Sequence, residues 1–187
     1  DALTFLASVI GDGSASIDES TLTVIPTADY NGDLTVNVIA SDGQASGSGS
    51  FTLTVTPVND APVITELSDQ IIDEDGSLTL ELSGMDVDGD ELLFSSTTGE
   101  INGTTLTITP PEDYNGSEDV TVTVTDGDLS DSTTFTLTVN PVNDAPTLDD
   151  LADASVAEDG VYTLELSGAD VDGDALTFLA SVIGDGS

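Results

Sequence analysis

Apolar residues take nearly every second position along most of this chain. Leu78, Leu80 and Leu82 alternate with Thr and Glu, and Leu106 and Ile108 alternate with Thr. Val120, Val122 and Val124 are interleaved with Thr, as are Phe135, Leu137 and Val139. A period of two puts alternate side chains on opposite faces of an extended backbone, the mark of a half-buried strand. Val and Thr also favour strands intrinsically. Most of these runs end at Ser-Gly, Asn-Gly or Asp-Gly, which supply turns, and no stretch shows a helical period. Between residues 57 and 140 the pattern predicts strands near Val63–Ile64, Ile71–Ile72, Leu78–Leu82, Leu92–Ser95, Leu106–Ile108, Val120–Thr125 and Thr134–Val139.

The pattern repeats. Pro57–Pro62, reading PVNDAP, recurs 84 residues later at Pro141–Pro146. The same spacing links LELSG at Leu80 and Leu164, DVDGD at Asp86 and Asp170, DYNG at Asp29 and Asp113, and FTLTV at Phe51 and Phe135. Seven short strands in one such unit predict an all-β, immunoglobulin-like Greek-key sandwich, and the repetition predicts such sandwiches in tandem, end to end. The predicted division is the C-terminal part of one repeat at 1–56, a complete repeat at 57–140 and the N-terminal part of the next at 141–187. A longer period is superposed, because Asp1–Ser14 is identical to Asp174–Ser187 at an offset of 173. Joining 141–187 to 15–56 makes a second repeat type of 89 residues, in which GDGSASIDES replaces the GEING of the middle repeat. The chain, which lacks an initial Met, therefore reads as a window of an alternating two-repeat array. Arbitrary truncation is one alternative. Head-to-tail complementation between chains is another, although the fourteen duplicated residues count against it.

Charge narrows the function. The 187 residues include 37 Asp and Glu and no Lys, Arg, His or Cys, for a formal net charge of −37. Such a chain cannot neutralise phosphates, so nucleic-acid binding is excluded. It has no phosphate-binding Lys or Arg, no Ser-His-Asp or Cys-His nucleophile, no ordinary zinc ligand set and no disulfide. An anionic membrane surface repels it, and no apolar run is long enough for direct membrane insertion. The composition still predicts a fold, since 37% of residues are hydrophobic and they alternate. The strong ligands left are carboxylate and carbonyl oxygens, which suit hard cations, calcium above all.

The recurring acids gather at predicted strand ends and loops, often beside Gly. DVDGD alone is weak evidence. It opens like an EF-hand loop, but Glu91 and Thr97 stand where that loop needs Gly and Glu, and its flanks are strands. The ordered set is more specific: Glu74, then Asp86-x-Asp88, then Asp113, then Asp126, with Val58-Asn59-Asp60-Ala61-Pro62 at the repeat boundary. This order resembles cadherin repeats, and more closely the bacterial cadherin-like repeats with a VNDAP linker in giant secreted adhesins. The resemblance implies calcium at each repeat junction, held by a base glutamate (Glu74, Glu158), paired aspartates (Asp86/Asp88, Asp170/Asp172), a late aspartate (Asp42, Asp126) and the linker (Asn59/Asp60, Asn143/Asp144). One junction then uses Asp29, Asn59, Asp60, Asp86, Asp88 and Asp126, and the next uses Glu74, Asp113, Asn143, Asp144, Asp170 and Asp172. Asp113-Tyr114-Asn115 departs from the animal pattern, which has a second acid at the third place. Asp75, Asp90, Asp159 and Asp174 are expected as turn residues, and Tyr30 and Tyr114 as tyrosine corners with the preceding Asp as ligand.

These readings predict a non-enzymatic extender segment of a bacterial extracellular or cell-surface adhesin or filament, rigidified by interdomain calcium. Its partners are the neighbouring repeats of the same array, and lateral association of rods into a fibre is left open. The alternative is a β-sandwich module that binds carbohydrate or protein, against which the scarcity of aromatic residues counts: three Tyr, five Phe and no Trp.

Overall fold

A computed structural model describes residues 3–183. The described residues contain strands and no helix, hence no helix long and apolar enough to cross a membrane. In chain order the strands are β1 (Thr4–Ile10), β2 (Gly13–Asp18), β3 (Thr21–Pro26), β4 (Gly32–Ser41), β5 (Ser46–Val55), β6 (Val63–Ile64), β7 (Gln70–Asp73) and β8 (Leu78–Glu81). There follow β9 (Gly84–Met85), β10 (Leu93–Ser96), β11 (Glu100–Asn102), β12 (Thr105–Ile108), β13 (Gly116–Thr125), β14 (Ser130–Asn140), β15 (Thr147–Leu148) and β16 (Gly168–Ala169).

The architecture is all-β and immunoglobulin-like, with two β-sandwich domains in tandem along the sequence. In the complete repeat one sheet has the order β10-β13-β14-β7 and the other β11-β12-β8. All seven predicted strands form. β9 and β11 are additional, and each is too short to show an alternation. β9 pairs with β6 through two residues, and β11 is one arm of a hairpin that turns at Gly103, whose φ is 64°.

Two compact units are distinguished. The first comprises Asp1–Thr65, Ser83–Ser95 and Thr123–Ser132. It contains the antiparallel sheet β1-β4-β5, the hairpin β2-β3 and the pair β6-β9. Leu34 and Val36 of β4 are fully buried here. The hairpin β2-β3 runs from Gly13↔Pro26 to Asp18↔Thr21 and accommodates the longer loop sequence that separates the two repeat types.

The second unit comprises Glu66–Leu82, Ser96–Val122 and Thr133–Ser187. β12 pairs with β8 on one side and β11 on the other, and β14 takes β7 as a parallel neighbour. Leu106, Ile108, Val120, Val122, Phe135, Leu137 and Val139 are buried, while intervening Thr residues face outward. Each such Val or Leu contributes about 1.5–3 kcal/mol by leaving water. Gly99 fits the tight return between β10 and β11 at φ 88°, where a Cβ would lie 2.5 Å from the Thr107 carbonyl oxygen.

Residues 141–183 behave differently. Only β15 and β16 pair there, at Thr147↔Ala169 and Leu148↔Gly168. The counterparts of β7 and β8, near 154–157 and 162–165, form no ladder. In the complete repeat β14 and β12 hold those strands, and residues 141–187 contain no counterpart of either. The duplicated fourteen-residue sequence shows the same dependence. Its first copy forms β1 because β4 lies beside it, from Thr4↔Ser41 to Ile10↔Thr35. Its second copy forms no strand among the described residues.

Candidate metal centres

Two groups of acids form, each wholly within one unit. In the first unit the chain leaves β9 and turns sharply through Asp86–Asp90, with Gly89 at φ 81°. Asp86 Oδ1 accepts the N–H groups of Asp88, Gly89 and Asp90 at 2.9, 3.0 and 3.3 Å. One carboxylate oxygen thus builds the turn. The other, Asp86 Oδ2, is buried with no hydrogen-bond partner. Carboxylate oxygens of Asp86, Asp88 and Asp90 lie within 4.8 Å of one another.

The PVNDAP segment is tied to this turn. Asp60 N–H donates to Asp88 Oδ2 at 2.8 Å, and Asn59 Nδ2 donates to Asp126 Oδ2 at 2.9 Å. Asp126 closes the turn between β13 and β14, its Oδ1 accepting from the N–H groups of Asp128 and Leu129. Those backbone donors, Leu129 first, together with Asn59 hold its carboxyl below the usual carboxylate range. Asp29, at φ 61°, lines one cleft of ≈ 550 Å³ with Asp60 and Asp86, and a neighbouring one with Asp60 and Asp88. The six residues expected at the first junction are therefore neighbours.

In the second unit Glu74 follows β7 and is only 6% exposed. Its Oε1 accepts the Val142 N–H, and its Oε2 accepts Asn115 Nδ2 at 3.3 Å. Asp75 Oδ1 accepts the Asp113 N–H at 3.1 Å, both aspartates being in the left-handed region at φ 61° and 56°. The Asp144 N–H donates to Asp172 Oδ2 at 2.7 Å, and Asn143 Nδ2 donates to the Asp144 carbonyl. Asp170 Oδ1 accepts the Asp174 N–H at 3.0 Å. Two carboxylate sets result: Glu74 with Asp144 and Asp172, and Asp75 with Asp113 and Asp144. Asp144 Oδ2 is buried without a partner, as Asp86 Oδ2 is. Burial, then the neighbouring acids, push the Asp113 and Asp144 carboxyls up. For Asp113 the strongest repulsion comes from Asp75, and for Asp144 from Asp113.

Of the expected acids, Asp29, Asp42, Asp60, Asp126, Glu158 and Asp170 join no carboxylate set among the described residues. Asp42 closes the β4-β5 turn by accepting from Gln44 and Ala45, and the Ala45 and Gln44 donors hold its carboxyl low. Glu158 lies exposed in the turn before Asp159, with no counterpart of Asn115 or Val142 in residues 141–187 to enclose it. Two acids expected as turn residues enter the sets, Asp75 and Asp90. Their recurrence 84 residues later, as Asp159 and Asp174, is the sequence signal for them. Asn115 stands where a second acid was missed, and it donates to Glu74. Tyr30 donates its hydroxyl to the Asp33 carbonyl at 3.0 Å, a tyrosine corner over Gly32.

The donor set fits a hard cation. It consists of oxygen atoms alone, with several carboxylates per group and one buried, unpartnered carboxylate oxygen in each. A buried anionic oxygen without a donor is costly, and the sequence holds no ammonium or guanidinium to neutralise it. Calcium takes six to eight such oxygens.

Residues 59–140 match the family model of the bacterial Ig domain. Chitinase A of Pseudoalteromonas piscicida is 35% identical over 124 residues, which is 63% of this chain and 15% of that protein. The chain thus spans a small part of that curated relative. Among solved structures, Drosophila N-cadherin EC1-4 is 18% identical, with 91% of this chain and 51% of that one covered at a TM-score of 0.41. Protocadherin Gamma B7 domains 1-4 is 15% identical, covering 84% of this chain and 46% of that one at 0.43. Residues 59–140 form a β-sandwich similar to the bacterial Ig domain of that family model.

Proposed function

We propose that this chain, whose residues 59–140 are similar to a bacterial Ig domain, is a calcium-stiffened structural segment of a secreted or surface-attached bacterial protein. In this reading 1–56, 57–140 and 141–187 belong to three successive repeats of an extended array, and calcium braces the joints between them. The first joint uses Asp29, Asn59, Asp60, Asp86, Asp88 and Asp126. The second uses Glu74, Asp113, Asn143, Asp144, Asp170 and Asp172, with Asp75 added. Asp42 and Glu158 serve further joints of the same kind. The partners are neighbouring repeats, and the role is mechanical rather than catalytic.

One observation carries this reading: both groups contain a buried carboxylate oxygen with no donor, in a sequence with no basic side chain. Ions that bind only the ordered joint stabilise it by mass action, by about 2.7 kcal/mol per site at a hundredfold excess over Kd. Calorimetric titration of the metal-free chain is expected to show calcium binding, with a rise in melting temperature of several degrees and larger dimensions in solution scattering. Identical melting and dimensions in calcium and in EDTA would sink the proposal.

The chitinase match favours a second reading, a spacer or carbohydrate-binding module attached to a secreted glycan-degrading enzyme. Retention of the purified chain on chitin supports binding, whereas passage through the column leaves the spacer role.

A further inference from the structure

One core-facing position of the complete repeat holds an acid. Alternate residues of β13 share a face, which puts Glu118 in line with Val120 and Val122. The two valines are fully buried and Glu118 is half-buried. The 84-residue spacing makes Leu34 of β4 the counterpart of Glu118, and Leu34 is fully buried. Its methyl groups press on the backbone of Gly11 and Gly13, where they would lie 2.6 and 3.3 Å from an added Cβ. One repeat type thus fills with leucine a place that the other lines with a carboxylate.

The strand beside that place differs as well. β1 follows β4 as far as Ile10↔Thr35 and covers Leu34. β10 ends at Ser96, and the Thr97 hydroxyl accepts the Thr121 N–H at 3.0 Å. The chain then turns away through Gly99. A cleft of ≈ 290 Å³ results, lined by Gly99, Ile108, Pro110, Pro111, Tyr114 and Glu118 among others. It lies wholly within the second unit, and no acid of the carboxylate sets lines it.

A carboxylate among proline, isoleucine and tyrosine is costly unless a cation meets it. The sequence holds no Lys, Arg or His, so that cation must come from another molecule. One carboxylate is too few for calcium, which takes six to eight oxygens. A guanidinium suits the walls better than an ammonium, because its plane stacks on aromatic faces and its fork pairs with both carboxylate oxygens. The volume falls just below the range of about 300–1,000 Å³ usual for small-ligand clefts, which suits a single side chain. We propose that this cleft binds an arginine side chain of a partner protein, with the guanidinium paired to Glu118 and stacked beside Tyr114. Calcium has no part in the pairing, and the repeat that carries Leu34 lacks the site.

The test titrates the full chain with the peptide acetyl-Gly-Arg-Gly-amide, followed by NMR, in EDTA and separately in calcium. Salt at about 0.15 M, where the Debye length is about 8 Å, screens the general attraction of the net charge. Saturable shifts are expected at Gly99, Tyr114 and Glu118 in both conditions. Glu118→Gln keeps the shape and should weaken binding at least tenfold. Glu118→Leu should abolish binding and raise the melting temperature, since leucine fills the cleft as Leu34 does. The matching lysine peptide should bind several-fold more weakly. Shifts scattered over acids of the whole chain, unchanged affinity in Glu118→Gln or equal binding of the lysine peptide overturns the proposal. So does saturation of the cleft by glucosamine but not by the arginine peptide.

Discussion

Glu74 is the buried charged residue of the described structure, and its two oxygens have separate duties. One accepts the Val142 N–H and the other the Asn115 amide, while the carboxylate as a whole adds its charge to Asp144 and Asp172. Substitution can separate those duties. Glu74→Gln keeps an acceptor and nearly the same shape but removes the charge. It is expected to weaken calcium binding at the second centre at least tenfold, about 1.4 kcal/mol, while leaving metal-free stability unchanged or higher. Glu74→Ala strips the Val142 N–H of its acceptor, and denaturation in EDTA should show a loss of about 1–3 kcal/mol. Equal effects of the two variants in both assays would mean that the charge has no role of its own. Asp75 illustrates what residue type alone conceals. An Asp-Gly pair reads as a turn, and Asp75 does occupy a left-handed position in one. Only the return of the chain at Asp113 and Asp144, far along the sequence, gives its carboxylate the company of others.

At the scale of elements, period-two alternation located every long strand between residues 57 and 140, because a buried face imposes that period on its sequence. β6 lies where it was predicted, at Val63–Ile64, and β13 extends its predicted run only toward the N-terminus. Two elements escaped for a physical reason. β9 and β11 exist because a partner strand passes beside them, and no local pattern records that. The duplicated fourteen residues make the point directly. With β4 alongside they form β1, and Leu6 is 69% exposed; without a counterpart of β4, Leu179 is 95% exposed and no strand forms. Turns carry more local information. Gly99 is confined by both its φ and the Thr107 carbonyl, so Gly99→Ala should cost about 1–3 kcal/mol. Gly127, with nothing near its Cβ position, has only its φ of 108° to lose, and Gly127→Ala should cost less. Thermal melts of the two variants in calcium check that order.

The whole molecule is governed by charge without internal compensation. Asp113 and Asp144 have raised carboxyls, so their favourable contribution is complete below the ordinary carboxylate range and is lost as pH rises through their raised values. Asp42 and Asp126 have lowered carboxyls, so theirs is present above the ordinary value and is lost as pH falls through the depressed ones. In EDTA, acidification from neutrality should therefore first raise the melting temperature, and then lower it at more acid pH. In calcium the same first step should lower it, since protons displace the ion from Asp113 and Asp144. The two melting curves against pH must converge, and curves that stay parallel would contradict the assignment of these two acids to the centre. The hydrogen bonds of the PVNDAP segment have a consequence in time as well. Asn59 waits for Asp126, 67 residues further on, and Glu74 waits for Val142, 68 residues on. At ordinary rates of synthesis each gap lasts roughly 3–13 seconds. A nascent chain thus emerges with Asn59 of its first linker loose until the late strands of the following repeat are made, whereas Glu74 within that repeat stays open until the second linker arrives with Val142.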